Sequence, residues 1–176
     1  MIQVVIVTGI VLAIVVLILL STYNSLTHLR QQVRAAWAHM DEQLKSRYEL
    51  VPELMLTVQS IGGELATKLP AISSAKNQAA VAFNPSQLAS AEIALTLAIH
   101  DLMKTADADA GLNANAKFVE IRQKLLASEK AIDKSRRFYN DRVDHLNESL
   151  KGFPSGITAT LIGLKPQPPF ELPTAG

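Results

Sequence analysis

No cysteine occurs in the 176 residues. Disulfides, thiolate catalysis and cysteine-ligated metals are therefore excluded, and nothing follows about redox compartment. Aromatics are scarce, with one Trp, three Tyr and five Phe, while Ala and Leu abound; that balance favours helices over sheet. Excess charge is lacking too: 17 Lys and Arg face 16 Asp and Glu, a formal net charge of +1. With the signs interspersed there is no basic stripe for a phosphate backbone, and nucleic acid is not an expected partner. The histidines His28, His39, His100 and His145 lie far apart and form no H-E-x-x-H pair. A metal site would need two helices to bring His or carboxylates to ligand distance, so the expectation is no metal and no cofactor. P-loop, G-x-S-x-G and kinase motifs are also missing.

What the chain does have is an uncharged apolar run, VVIVTGIVLAIVVLILL at residues 4–20. With its neighbours it reaches about 20 residues, the length that crosses a bilayer. It has no basic n-region and no A-x-A site after it, which favours a retained anchor over a cleaved signal peptide. No Lys or Arg precedes it, whereas Arg30 and Arg34 follow before the first acid, Asp41. The positive-inside rule then predicts an outside amino terminus and a cytoplasmic domain.

Residues 23–60 read as one long amphipathic helix of roughly 55 Å. Leu26, Trp37 and Tyr48 fall eleven apart, as do Leu29, Met40 and Val51, and Val33, Leu44 and Met55. An eleven-residue repeat predicts one apolar stripe, with Asp41, Lys45, Arg47 and other polar residues on faces left to water. Pro52 predicts a kink near residues 47–52. Gly62-Gly63 lowers helix propensity, although packing is able to carry a helix through at about 1 kcal/mol per Gly. Asn84-Pro85 reads as N-cap and first residue of a helix to about Ala106, with Leu88, Leu95, Ile99 and Leu102 inward. Asn113 or Asn115 caps the last long helix, residues 114–151. There Phe118, Leu125, Ile132, Tyr139, Leu146 and Phe153 recur every seven residues, a coiled-coil-like stripe whose obvious mate is the first long helix. GFPSG at 152–156 stops it. In the tail, Ile157, Leu161, Ile162 and Leu164 are expected to fold back over the bundle, with membrane contact as the rival, and the last several residues to be disordered.

The pieces YNSL, LR, AAW and MDEQLKSRYELVPEL in residues 23–54, and NANAKF, SEKAI, RRFYNDRV, HLN, FPS and GLKPQPPFE in residues 112–171, closely resemble the LemA family. The two blocks cover about half the chain, in the right order, behind an amino-terminal apolar segment. The resemblance implies an antiparallel helical bundle on a single-pass anchor with no settled enzymatic activity. It marks as structural or partner-contact positions Tyr23, Asn24, Arg30, Trp37, Asp41, Gln43, Lys45, Arg47 and Pro52 in the first block. In the second it marks Asn115, Phe118, Glu129, Arg136, Tyr139, Asn140, Asn147, Phe153 and Pro154. The chain departs from the family pattern at Ser46, usually basic, at Glu53, usually Asn, and at Ala116-Lys117, usually Glu-Asn.

Several of these positions invite a catalytic reading, and each has a plainer one. Glu129 and Arg136 replace apolar heptad residues beside Asp133; the preferred reading is an ion pair with Lys45 or Arg47 that sets helix register. Tyr23 fits an interfacial aromatic, Asn24 a helix cap, and Tyr139 a core residue whose hydroxyl bonds Asn140 or Asn147. Trp37 is the expected large core aromatic.

The sequence thus predicts an all-α protein: an N-terminal transmembrane helix followed by an antiparallel bundle of long helices. Residues 1–22 are the anchor, 23–156 the bundle, and 157–176 an apolar then proline-rich tail. The function expected is that of a non-enzymatic scaffold or adaptor in the bacterial inner membrane. Its partners would be membrane lipid through residues 1–22 and another membrane-associated protein or a second copy. The alternatives are membrane remodelling through self-assembly or lipid contact, and metal binding or catalysis by Glu129, Asp133 and a histidine.

Overall fold

A computed structural model describes residues 1–171. Among them the secondary structure is entirely helical: α1 (Ile2–Ile61), a 3-10 turn (Gly63–Lys68), α2 (Leu69–Ala80), α3 (Pro85–Asp107), α4 (Ala110–Asn113), α5 (Ala116–Ser149) and α6 (Ser155–Leu161). The chain forms two compact units, and α1 and α5 each contribute to both.

α1 is a single helix of 60 residues. Its first stretch is long and apolar enough to cross a membrane, and is exposed throughout. The two threonine hydroxyls there are satisfied internally: Thr8 donates to the Val4 carbonyl and Thr22 to the Ile18 carbonyl, both at 2.8 Å. Such back-bonding makes a hydroxyl tolerable in hydrocarbon. Helix runs unbroken through Asn24, which is therefore not a cap, and through Pro52. Pro52 itself is exposed, which keeps its ring off the core face.

The first unit comprises Met1–Ala38 and Arg137–Pro169. Leu26, Val33 and Ala36 of α1 are buried, as are Tyr139, Val143 and Leu146 of α5. The half-buried Trp37 packs edge-on against Tyr139, ring centroids 5.3 Å apart. α6 follows the end of α5 and buries Thr158 and Ala159. A Cβ at Gly156 would lie 2.9 Å from the Leu150 carbonyl oxygen, so only glycine admits so close an approach of α6 to the end of α5. The segment after α6 returns along α5. Asn147 donates to the Gln167 carbonyl at 2.8 Å and accepts from its N–H at 2.9 Å, and the Tyr139 hydroxyl donates to the Pro168 carbonyl at 3.2 Å.

The second unit comprises His39–Arg136 with, among the described residues, Phe170 and Glu171. Its core is built from Val51, Leu54 and Val58 of α1, Leu69 and Ile72 of α2, Leu95, Ile99 and Leu102 of α3, and Phe118, Ile121 and Leu125 of α5. α1 ends where Gly62 and Gly63 take φ of 77° and 72°, a left-handed conformation that glycine adopts without strain. Packing does not carry the helix through this pair. Side chains start the later helices: Asn84 accepts from Gln87 N–H at 2.9 Å, Asp109 from Gly111 and Leu112, and Asn115 from Phe118 N–H at 3.0 Å. Asn115 is the cap of α5; Asn113 instead donates to the carbonyls of Ala106 and Asp107.

Candidate functional site

The buried residues of α1 from the second unit are Met40, Leu44, Arg47, Val51, Leu54 and Val58. They advance by alternating steps of four and three, the spacing of a seven-residue pattern rather than an eleven-residue one. This corrects the predicted stripe. Arg47, expected on a wet face, is 4% exposed and sits between Leu44 and Val51 in the core row.

Its counterpart is Glu92 on α3, 0% exposed. Glu92 also stands in a core row, three residues before Leu95 and seven before Ile99. The Arg47 guanidinium donates from one terminal nitrogen to Glu92 Oε2 and from the other to Thr96 Oγ1, the latter at 3.1 Å. The Tyr48 hydroxyl donates to Glu92 Oε1. Glu92 and Thr96 are one turn apart on α3, so a single helix face presents both acceptors. Both carboxylate oxygens are engaged, as a charge withdrawn from water requires.

Burial depresses the Arg47 pKa, opposed by the neighbouring Tyr48 oxygen and the Glu129 carboxylate; a guanidinium still keeps its proton at any ordinary pH. Burial pushes the Tyr48 hydroxyl up to about 12 against the pull of Arg47. Tyr48 is therefore a neutral donor, and its lone pair is not a base. Beside the cluster lies a half-open cavity of about 80 Å³. Arg47 and Thr96 are at its polar side, Ile99, Met103 and Leu125 line it, and at its rim His100 Nε2 meets Glu129 Oε1 at 3.1 Å. Arg47 Nε makes no hydrogen bond among the described residues. Chemically this is a clamp: a fixed cation, a counterion with both carboxylate oxygens engaged, and a neutral phenol.

The predicted ion pairs of the last helix are corrected accordingly. Glu129 pairs with His100 rather than with Lys45 or Arg47, and its side chain is 33% exposed. Arg136 pairs along its own helix with Asp133 at 2.8 Å, and Lys45 pairs with Asp41 at 2.6 Å. Charged groups with an intrahelical partner one turn away need no partner across the bundle. Glu92 and Thr96 were missed, though a glutamate on the Leu95–Ile99 row was the signal that would have found them. The Tyr139 hydroxyl finds a carbonyl of the returning tail, not Asn140 or Asn147. Tyr23, Asn24, Arg30 and Pro52 are exposed; Asp41, Gln43, Asn140 and Pro154 are half-buried; Phe118 is fully buried. Phe153 is 87% exposed because α5 ends at Ser149, before the heptad position it would have filled. These positions are spread over both units. Among the described residues no group of three or more His, Cys, Asp or Glu is placed to hold a metal ion.

The family model for LemA matches residues 36–176, most of the chain. The chain belongs to the LemA family. No curated protein matches it. The match begins just before the buried row that carries Arg47, so the apolar stretch of α1 lies outside it. Two of the chain's departures from the LemA pattern meet in space: Lys117 Nζ is 3.1 Å from Glu53 Oε1. This ion pair joins α1 to the start of α5.

Proposed function

We propose that this LemA protein is a non-enzymatic scaffold or adaptor, anchored by a single span in the bacterial inner membrane, with its amino terminus outside and its helices in the cytoplasm. One observation carries the reading: α1 passes without a break from an exposed apolar stretch into the core of the bundle. A continuous helix transmits position and orientation from the bilayer to the folded part, which a flexible linker would not. Two contacts, each within one unit, support antiparallel packing of α1 and α5. Residue 37 meets 139, and residue 53 meets 117, so one number falls as the other rises. The seven-residue spacing of both buried rows suits coiled-coil-like packing. The polar faces left outside display Arg34, Lys45 and Lys124, all exposed, and the Arg47 cluster fixes register rather than performing chemistry.

Cross-linking in intact membranes from reporters at Arg34, Lys45 and Lys124 tests this. Products containing a foreign membrane-associated protein are expected. Links confined to one chain, together with turnover of a substrate by the purified protein, would overturn it.

A further inference from the structure

α6 is amphipathic at short range. Thr158 and Ala159 are buried, whereas Ile157 is 53% and Leu161 73% exposed, with Phe153 at 87% and Ile162 at 42% beside them. Phe153, Ile157 and Leu161 are four residues apart, which aligns the last two on one face of the helix with Phe153 just before it. Gly156 fixes α6 tightly against the end of α5, and the Asn147–Gln167 pair ties down the segment that follows. These apolar side chains are therefore held outward by a rigid support, not displayed on a loose tail.

The occupant of this face follows from where it lies. Met1–Ala38 and Arg137–Pro169 make one compact unit, and within it Trp37 touches Tyr139. The residues after Tyr139 must then run alongside those before Trp37, back toward the apolar stretch of α1. From Leu20 to Trp37 is a rise of about 26 Å, and from Tyr139 to Ser149 a return of about 15 Å. The end of α5 thus comes to about 11 Å from the level of Leu20, and α6 packs beside that end, with Gly156 against Leu150. A bilayer's headgroup layer extends about 5–8 Å past the hydrocarbon on each side. Charge agrees: between Glu148 and Glu171 there is no acidic residue, and the charged residues there are Lys151 and Lys165. An apolar face flanked by lysines is the composition of a helix that rests in an anionic interface.

We infer that α6, through Phe153, Ile157 and Leu161, docks on the anionic bilayer surface around the anchor, so that the first unit stands on the membrane at two points. The inference rests on the anchored reading above. A second attachment point removes the freedom of a lone helix to tilt, and so sets the angle at which the polar faces meet a partner.

The absence of cysteine makes the test direct. Single substitutions Leu161→Cys, Val11→Cys and Leu126→Cys in the full chain are labelled with an environment-sensitive fluorophore. The proteins are reconstituted in phosphatidylglycerol-containing vesicles bearing nitroxide lipids. Quenching at Leu161→Cys and Val11→Cys, severalfold above that at Leu126→Cys, is the expected result. If Val11→Cys is quenched while Leu161→Cys matches Leu126→Cys, the docking fails and the anchor stands. If Val11→Cys is also unquenched, the anchored reading fails and this inference with it. A disulfide between two unlabelled Leu161→Cys chains, formed under an added copper–phenanthroline oxidant in a sample whose labelled counterpart shows no lipid quenching, assigns the face to a second copy and overturns the proposal.

Discussion

At Arg47 the cost of withdrawing a guanidinium from water is offset by Glu92 and Thr96, with Tyr48 holding the other oxygen of the same carboxylate. Removing one member leaves the opposite charge buried and unpaired. Arg47→Leu or Glu92→Leu alone is therefore expected to cost about 3–5 kcal/mol, and the double variant far less, because two well-packed apolar residues often equal a buried ion pair. A double-mutant cycle in urea unfolding reads this, and additive losses would contradict it. Tyr48 adds a pH dependence. Its hydroxyl is held at about 12 rather than 10.0 in the fold, so the unfolded chain loses its proton first. The stability contribution is fully present below about pH 10 and is lost as pH rises toward 12. The thermal midpoint should fall across that window, and Tyr48→Phe should flatten the fall. The exposed Glu53–Lys117 pair should behave differently: Glu53→Lys is expected to cost no more than about 1 kcal/mol, restored by the added exchange Lys117→Glu.

Individual elements show which local signals were readable. The Asn84 cap and, of the predicted inward row, Leu95, Ile99 and Leu102 were legible, with Leu88 only half-buried, because capping and spacing act over a few residues. The sequence left open whether packing carries a helix through Gly62-Gly63, and α1 ends there. Of the nine residues in the eleven-residue stripe predicted on α1, Leu26, Val33, Met40, Leu44 and Val51 are buried, and the other four are Leu29, Trp37, Tyr48 and Met55. They are half-buried neighbours of the true row, and apolarity does not distinguish flank from centre. Taking flank for centre placed Arg47 in water. α6 was hidden for another reason: five of its seven residues are Ser, Gly, Thr or Ile, which carry little helix propensity, and the helix depends on its fit against α5. Gly156→Ala should break that fit through the 2.9 Å approach to the Leu150 carbonyl. Loss of amide protection across α6 in hydrogen exchange, with α3 unchanged, is the expected result.

For the whole molecule, the proposed adaptor role requires a continuous helical route from the apolar stretch of α1 to its polar faces. Inserting two glycines after Thr22 interrupts α1 without altering the apolar residues before it. The variant is expected to float with membranes as the parent does but to lose its cross-links to a partner, since helix continuity is what carries orientation. Retention of the full cross-linking pattern would show that tethering alone suffices.

Local chemistry, written residue by residue, determined the helical class, the apolar stretch at the start of α1, the caps and breaks, and membership of LemA. Each depends on spacing or composition along the chain, which a linear sequence records directly. The tertiary structure decided which polar groups meet: Arg47 with Glu92, Glu129 with His100, Glu53 with Lys117, Tyr139 with the carbonyl of Pro168. It also decided which apolar residues stay outside, Phe153 and Leu161 among them. The reason is physical. A side chain's periodicity names a helix face, but its partner is set by rotation and register between helices, and these depend on how all the facing side chains pack together.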